Sequence, residues 1–465
     1  MATVRRLPGA GGDRRWHLPA HAAGTPLRTG VAALTIVARW RAARDNALTN
    51  VRRAAHAAGP DDGRARQLEL LNTEWLRLTT ASPYVGRLVS SGRSPARFDS
   101  LEQFMETVPV VSRHEVQTLG DDIRCREPPA EFMRTTGGST SQPVQLPAWM
   151  SELEYTRPDM WLGRGWYGVT PASRLFLLWG HSHLLGTGVA GAMRARLREL
   201  TDWMLGYERV SAYDLRPEML RRAGDRLLRH RPDYVIGYAV ALDLLAQANA
   251  DRGPEFRALK VKVVIGTAER FPAADSVARL EALFGCPVGM EYGAVETGLI
   301  AHTTPAGGYD VFWNSYLIDA EPSGTGHRLY VTSLYPRCFP LVRYLIGDEI
   351  DLGGPTGRVA GVRRLESVTG RCNDGVRLPD GTLVHSELFT HAVRSCAAVR
   401  GFQVVQSPGG PGIRYLADAP LSTSDAAAVR ERLGRIHPSL ATVPLEHVPK
   451  LTQTVAGKTR MVVEA

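Results

Sequence analysis

Long apolar runs are missing from this chain: its 465 residues hold no stretch of 18 or more apolar residues, which excludes a transmembrane helix. Cysteine is scarce. The five present (Cys125, Cys286, Cys338, Cys372, Cys396) are odd in number and widely spaced, so neither a disulfide framework nor a cysteine-rich zinc site is suggested. No stripe of interleaved aromatic and basic residues occurs, so nothing beyond net charge points to nucleic acid. Internal repeats and low-complexity segments are absent too. The apolar patch Val31–Val37 follows Arg5, Arg6, Arg14 and Arg15 as in a signal peptide, yet Arg39 and Arg41 come at once after it. A small-residue cleavage site is lacking where it would be needed, so the patch reads as part of an amphipathic helix and the protein as cytoplasmic, with no membrane partner.

What is present is the composition of a soluble globular protein, 44% hydrophobic and 22% charged. The length allows about two or three domains. A net charge of +9 comes from scattered arginines rather than a block, which suits an anionic ligand such as a nucleotide or a coenzyme tail.

Taken in order, the chain opens Arg/Ala/Gly-rich and irregular to Thr25, with a helix expected from Val31 to Ala57. Pro60-Asp61-Asp62-Gly63 reads as a turn. Leu68, Leu71, Trp75 and Leu78 are spaced for one helix face, and Asp99–Met105 reads as a short capped helix running into Val108–Val111. Further on, strands are expected at Leu175–Leu178, Tyr234–Ile236, Val261–Ile265 and Val288–Tyr292. They alternate with helices at Met219–Leu228, Val240–Asn249 and Ser276–Leu283, which argues for α/β architecture with largely parallel sheets. From Tyr309 to Leu352 the pattern turns strand-rich and Gly/Pro-punctuated, as in an antiparallel sheet or small β-barrel. The last stretch reads as a compact α+β unit in ββαβ order, with strands at Phe402–Gln406, Ile413–Leu416 and Val443–Val448. Its helix, capped by Ser422 or Ser424, carries Val429, Leu433 and Ile436 on one face.

The chain is organised around Thr135-Thr136-Gly137-Gly138-Ser139-Thr140-Ser141-Gln142-Pro143. Glycines let successive backbone N–H groups turn inward, and the hydroxyls add donors, so such a loop suits an oxygen-rich anion such as phosphate; a plain linker is the alternative. It is not a Walker loop, because no Gly-Lys-Ser/Thr follows.

Four further clusters carry chemistry. Tyr292-Gly293-Ala294-Val295-Glu296 follows a strand, where α/β sheets bind ligands, and Glu296 suits holding Mg²⁺ against phosphate oxygens. Arg343-Tyr344-Leu345-Ile346-Gly347-Asp348 ends a strand with a carboxylate suited to ribose hydroxyls. Gly370-Arg371-Cys372-Asn373-Asp374-Gly375 is polar and turn-rich, like an interdomain hinge. Gly457-Lys458-Thr459-Arg460 lies in a terminal segment, after Pro449-Lys450, from which a lysine could reach a developing negative charge. Each also has a plain reading as a turn, loop or solvated basic tail.

In this order the clusters resemble the adenylate-forming superfamily, and within it the phenylacetate–CoA ligase-like branch that includes the CapK-like proteins. The glycine loop matches that family's phosphate loop, with Thr136, Gly137, Gly138, Ser139 and Thr140 on ATP. Gly266-Thr267-Ala268-Glu269 resembles its adenine-side loop, Tyr292–Glu296 its Tyr-Gly-x-Thr/Ser-Glu motif, and Arg343–Asp348 its ribose motif. Gly370–Asp374 resembles the hinge, centred on Asn373 with Arg371 beside it, and Gly457-Lys458 the catalytic lysine motif. Gly237-Tyr238 and Val108–Arg113 add likeness to the branch. The resemblance covers roughly residues 65–462 and leaves the first ~60 unexplained.

The resemblance implies a large ATP- and acid-binding domain over 61–372 with α/β subdomains and a small β-barrel-like part. It implies a small mobile C-terminal lid over 373–465, with 1–60 as a partly helical extension. ATP·Mg²⁺ and an acid would form an acyl adenylate and pyrophosphate, with Glu296 on the metal and Arg371 and Lys458 catalytic. The lid would then turn, and a thiol (coenzyme A or a carrier protein's phosphopantetheine) would take the acyl group. Trp179, His181, His183, Tyr238 and Met290 are candidates for lining the acid pocket. Three departures stand against a simple transfer. Ser141 replaces the last loop glycine, with Val144-Gln145 where a lysine is expected after Pro143. Val295 stands where a hydroxyl would meet the α-phosphate, and Asn373 where Asp or Lys is usual. The acid is expected to be small and aromatic or otherwise unsaturated. The alternatives are activation of nitrite for reaction with an aryl amine, or a degenerate nucleotide-binding protein; the retained set Glu296, Asp348, Arg371 and Lys458 favours an active enzyme.

Overall fold

A computed structural model describes residues 3–6, 28–135, 145–179, 188–212, 214–268, 270–323, 326–370, 375–385, 388–389, 392–393, 396, 398–452 and 461–464. Its centre is an eight-stranded sheet. Five strands run parallel in the spatial order Tyr207–Ser211, Leu175–Trp179, Tyr234–Tyr238, Val263–Thr267, Val288–Ala294. Gly298–Thr303, Tyr309–Val311 and Arg364–Leu365 extend it antiparallel. The central strands are buried on both faces, as near-continuous apolar runs require. Phe176, Leu178, Val235 and Val264 pack with the helices Pro217–His230, Ala239–Ala248 and Ser276–Phe284. Leu175, Leu177, Ile236, Val263 and Ile265 pack with Trp161 of the Leu153–Gly165 helix on the opposite face. The expected alternation of strand and helix is therefore present, each element within a few residues of its expected ends.

The strand-rich stretch is an antiparallel sheet ordered Val359–Ala360, Tyr316–Ser323, Gly326–Ser333, Tyr344–Asp351, Ser367–Gly370. Among the described residues it keeps two edges and does not close, so the expected barrel-like part is an open sheet. The C-terminal sheet has four strands, one more than the ββαβ expectation. Val462–Glu464 pairs parallel to Gly401–Gln406, and Met461 is buried, so these residues form an edge strand of that sheet. Ser422 caps the Thr423–Ile436 helix by accepting from the Asp425 N–H. This unit packs on the large one, where the Leu215 N–H donates to the Arg435 carbonyl at 3.0 Å.

Two N-terminal readings are corrected. Thr3–Arg6 is not irregular but pairs antiparallel with Phe132–Thr135. Pro60–Gly63 is no turn: Pro60 opens the Pro60–Ala81 helix, with Asp61 and Asp62 in its first turn. Proline at that position lacks only an N–H that would be unpartnered anyway, and the carboxylates oppose the helix dipole.

The helix Arg28–His56 lies against Leu153–Gly165. Arg52 Nε stands 2.9 Å from Asp159, whose side chain is fully buried. Burial pushes the Asp159 carboxyl up to about 6, with Arg52 pulling the other way. A carboxyl raised in the fold costs nothing while protonated, and its cost grows as pH rises from its ordinary value of 3.8 through 6. Without Arg52 that cost deepens. Arg52→Ala should lose about 3–5 kcal/mol at pH 8, the scale for orphaning a buried charge, and clearly less at pH 5. Urea denaturation at the two pH values measures this; equal losses would show that the pair does not hold the helix.

Candidate active site

The candidate residues gather at the carboxyl edge of the parallel strands. Tyr238 pairs with Thr267, Gly237 with Gly266, and Gly266 with Met290, so these side chains form rows across the sheet end. Trp179 ends its strand and stacks on Tyr238, with ring centroids 4.4 Å apart and planes 27° apart. Gly266 sits under side chains: a Cβ there would lie 2.5 Å from Met290 Sδ and 2.9 Å from Phe271 Cζ, so both would have to shift. The next residues leave the strand with Ala268 at φ 71°, a left-handed turn that aims the backbone away from the sheet.

Glu296 sits in the turn between Val288–Ala294 and Gly298–Thr303 and is 7% exposed. The turn is fixed from several sides. The Ala294 N–H donates to Thr297 Oγ1 at 2.9 Å, and the Thr297 hydroxyl donates to the Gly298 carbonyl at 2.7 Å. Tyr316 OH donates to the Thr297 carbonyl and Arg337 Nη2 to the Glu296 carbonyl, both at 2.6 Å. The Glu296 carboxylate itself receives Arg113 Nη1 at 3.2 Å and Tyr344 OH at 3.3 Å.

Arg113 arrives by backbone pairing. Val111 exchanges hydrogen bonds with the Tyr344–Asp351 strand: its N–H donates to the Arg343 carbonyl and its carbonyl accepts from Leu345. A Ser112–Glu115 capping box then starts the Arg113–Thr118 helix. Asp348 does not end a strand, as the sequence suggested. It lies inside Tyr344–Asp351 just after Gly347, whose φ is 91°, on a strand whose register shifts against its neighbour. That irregularity re-aims its side chain, and Tyr292 OH donates to Asp348 Oδ2 at 3.0 Å.

Tyr292 and Asp348 therefore meet directly, Gly293 and Glu296 follow Tyr292 in and after the same strand, and Gly266, Thr267, Ala268, Met290, Trp179 and Tyr238 lie along the same sheet edge. Thr136, Gly137, Gly138, Ser139, Thr140, Glu269, His181, His183, Arg371, Asn373 and Lys458 lie outside the described residues. The strands on either side of the glycine loop are paired, Thr135 opposite Gln145. Sequence reasoning gave no role to Arg113, Tyr344, Tyr316 or Arg337. The Ser-x-x-Glu capping box beside Arg113 is the one local signal among them.

Among the described residues no group of three or more His, Cys, Asp or Glu could hold a metal ion. The single carboxylate of Glu296 still fits Mg²⁺ carried by a nucleotide, since Mg²⁺ takes one or two protein carboxylates and fills its shell with phosphate oxygens and water. No described helix is long and apolar enough to cross a membrane.

No family model matches the chain. CapK of Staphylococcus aureus is 23% identical over 193 residues, 40% of this chain and 41% of CapK, so the match spans less than half of either. Among solved structures, a 2-hydroxyisobutyryl-CoA ligase in complex with 2-HIB-AMP and CoA in the thioesterification state covers 88% of this chain and 90% of its own. Its TM-score is 0.56 at 17% identity. The same ligase in the postadenylation state with R3-HIB-AMP gives 0.53 over the same shares, again at 17% identity.

The turn that carries Glu296 yields a test. A Cβ at Gly293 would lie 2.0 Å from the Gly298 carbonyl oxygen, a backbone atom that no side-chain shift can clear. Gly293→Ala should cost about 3 kcal/mol, the upper end for overpacking, read from the urea midpoint. A loss within about 0.5 kcal/mol, as for an ordinary surface change, would mean the turn is loose. With the strand order, the sheet-edge site and this agreement over most of its length, the chain has the fold of the adenylate-forming ligases that its motifs resemble.

Proposed function

We propose that the protein is an AMP-forming ligase that adenylates a small carboxylic acid with ATP and passes the acyl group to a thiol. The observation that carries this reading is the Tyr292–Asp348 hydrogen bond at the carboxyl edge of the parallel strands, with the fixed, buried Glu296 four residues beyond Tyr292. An acid oxygen attacks the α-phosphorus and pyrophosphate leaves with its bonding electrons; the thiol then attacks the acyl carbon and AMP leaves.

In this reading Asp348, oriented by Tyr292, accepts hydrogen bonds from the ribose. Thr267 and Ala268, with Gly266 and Glu269, border the adenine. Thr136–Thr140 donate to the phosphates, and Glu296 holds Mg²⁺, which neutralises charge on the phosphate oxygens. Arg371 and Lys458 bring further positive charge, and the lid, 373–465, turns about Asn373 between the two steps. Trp179, Tyr238 and Met290, with His181 and His183, line the acid pocket. The Trp179–Tyr238 stack at the sheet end favours a flat, aromatic or otherwise unsaturated acid. The acceptor is coenzyme A or a carrier protein's phosphopantetheine. Such an enzyme belongs in the cytoplasm, where ATP is supplied.

The test is pyrophosphate release from ATP across a panel of acids, with nitrite plus an aryl amine as a separate arm. Release with an acid supports the reading. Release only with nitrite and amine makes the protein a diazotising enzyme, and none with any partner makes it a nucleotide-binding relic. Glu296→Ala should slow adenylation about 10²-fold, the cost of one preorganised charge stabiliser. Wild-type release from a folded variant removes Glu296 from the site.

Lys458 separates the half-reactions. Lys458→Ala should lose about 3–4 kcal/mol of adenylation, the scale of one well-placed donor, yet still convert supplied acyl adenylate with thiol. Equal loss in both half-reactions, or none, would overturn its role.

A further inference from the structure

Arg337 is one of the largest fully buried side chains in the protein, at 1% exposure. It stands between two acidic residues. Its Nε lies 3.7 Å from Glu152 Oε2, and its Nη2 donates to the main-chain carbonyl of Glu296 at 2.6 Å. Its Nε and Nη1 make no hydrogen bond among the described residues. Glu152 has another cationic partner. Its Oε1 accepts from the Trp149 and Cys338 N–H groups, each at 3.0 Å, and its Oε2, which like Arg337 Nε makes no hydrogen bond among the described residues, is 2.6 Å from Arg134 Nη2.

A buried guanidinium with donors left over is a poor way to stabilise a fold. Desolvation disfavours its charge, each unmade hydrogen bond costs more, and a hydrocarbon of similar volume is often neutral or better. Among the described residues, the one short bond Arg337 makes goes to the backbone of Glu296, whose carboxylate the proposed function assigns to the metal. Because that bond reaches the carbonyl and not the carboxylate, it orients Glu296 without consuming its acceptor oxygens. Tyr316 OH holds the adjoining Thr297 carbonyl in the same manner.

We propose that Arg337 is a positioning residue for Mg²⁺: it fixes the Glu296 turn so that the carboxylate meets a nucleotide-borne cation. This rests on the function proposed above. Contacts of this outer kind orient metal ligands, and losing one typically weakens metal binding about 10–100-fold.

The experiment is calorimetric titration of MgCl₂ into full-length protein saturated with α,β-methylene ATP, which cannot release pyrophosphate. Urea midpoints are measured in parallel. Arg337→Met should raise the Mg²⁺ dissociation constant about 10-fold, leave the analogue's affinity in EDTA unchanged, and keep the midpoint near that of the wild type. Arg337→Lys keeps the charge but has one amine for two partners, and should raise the constant less. A folded Arg337→Met or Arg337→Lys with the wild-type Mg²⁺ constant overturns the proposal; if Arg337→Met does not fold, Arg337→Lys decides. Wild-type protein that binds the analogue identically with and without Mg²⁺ overturns the functional reading as well, which sets the two failures apart.

Discussion

Charge buried along one helix holds this site together. Glu152 at the head of the Leu153–Gly165 helix, Asp159 in its middle and Arg164 near its end are all buried. Each is paired with a different part of the chain. Glu152 meets Arg134, on the strand that runs into the glycine loop; Asp159 meets Arg52 of the N-terminal helix. Arg164 meets Glu291, next to Tyr292, at 2.8 Å. Burial would raise the Glu291 carboxyl, and Arg164 together with His302 pulls the other way, holding Glu291 below its ordinary value. Pairs of this kind add little net stability over apolar packing, but removing one partner is costly. They fix which elements sit together, and two of the three reach strands that lead to candidate site residues, Phe132–Thr135 before the glycine loop and Val288–Ala294 with Tyr292.

How far the sequence could be read follows from where the information lies. Tyr234–Tyr238 and Val263–Thr267 were legible because a strand covered on both faces is apolar at nearly every position and needs no partner to be recognised. The helix with Val429, Leu433 and Ile436 was legible from its spacing and its serine cap. Asp348 was misplaced because its position depends on a register shift against a neighbouring strand, and a register is a property of two segments. The Val462–Glu464 strand was missed because three residues beyond a basic stretch carry too little periodicity to stand out.

The site divides in the same manner. Tyr292, Glu296 and Asp348 could be singled out because they sit in motifs whose order along the chain is informative. Arg113 and Arg337 were not, since an arginine is ordinarily a surface residue and nothing nearby in sequence says that either reaches Glu296. Their signal is entirely three-dimensional: one is delivered by Val111 pairing with the Tyr344 strand, the other by the buried Glu152.

The departure at Val295 can now be weighed against its surroundings. Where the resembled motif has a hydroxyl for the α-phosphate, this chain has an isopropyl group, and the nearest hydroxyl in sequence is Thr297. That hydroxyl is committed, accepting from the Ala294 N–H and donating to the Gly298 carbonyl. It cannot turn toward a nucleotide without opening the turn that carries Glu296. Under the proposed function, the donor missing at Val295 is therefore not replaced from within the motif. Stabilisation of the α-phosphate must come from outside it, and the charges of Lys458 and of Mg²⁺ on Glu296 then count for more than they would beside a threonine. That is the reason to expect a larger effect from Lys458→Ala than from the loss of any single hydroxyl in the glycine loop, because a charged donor makes roughly twice as strong a hydrogen bond as a neutral one.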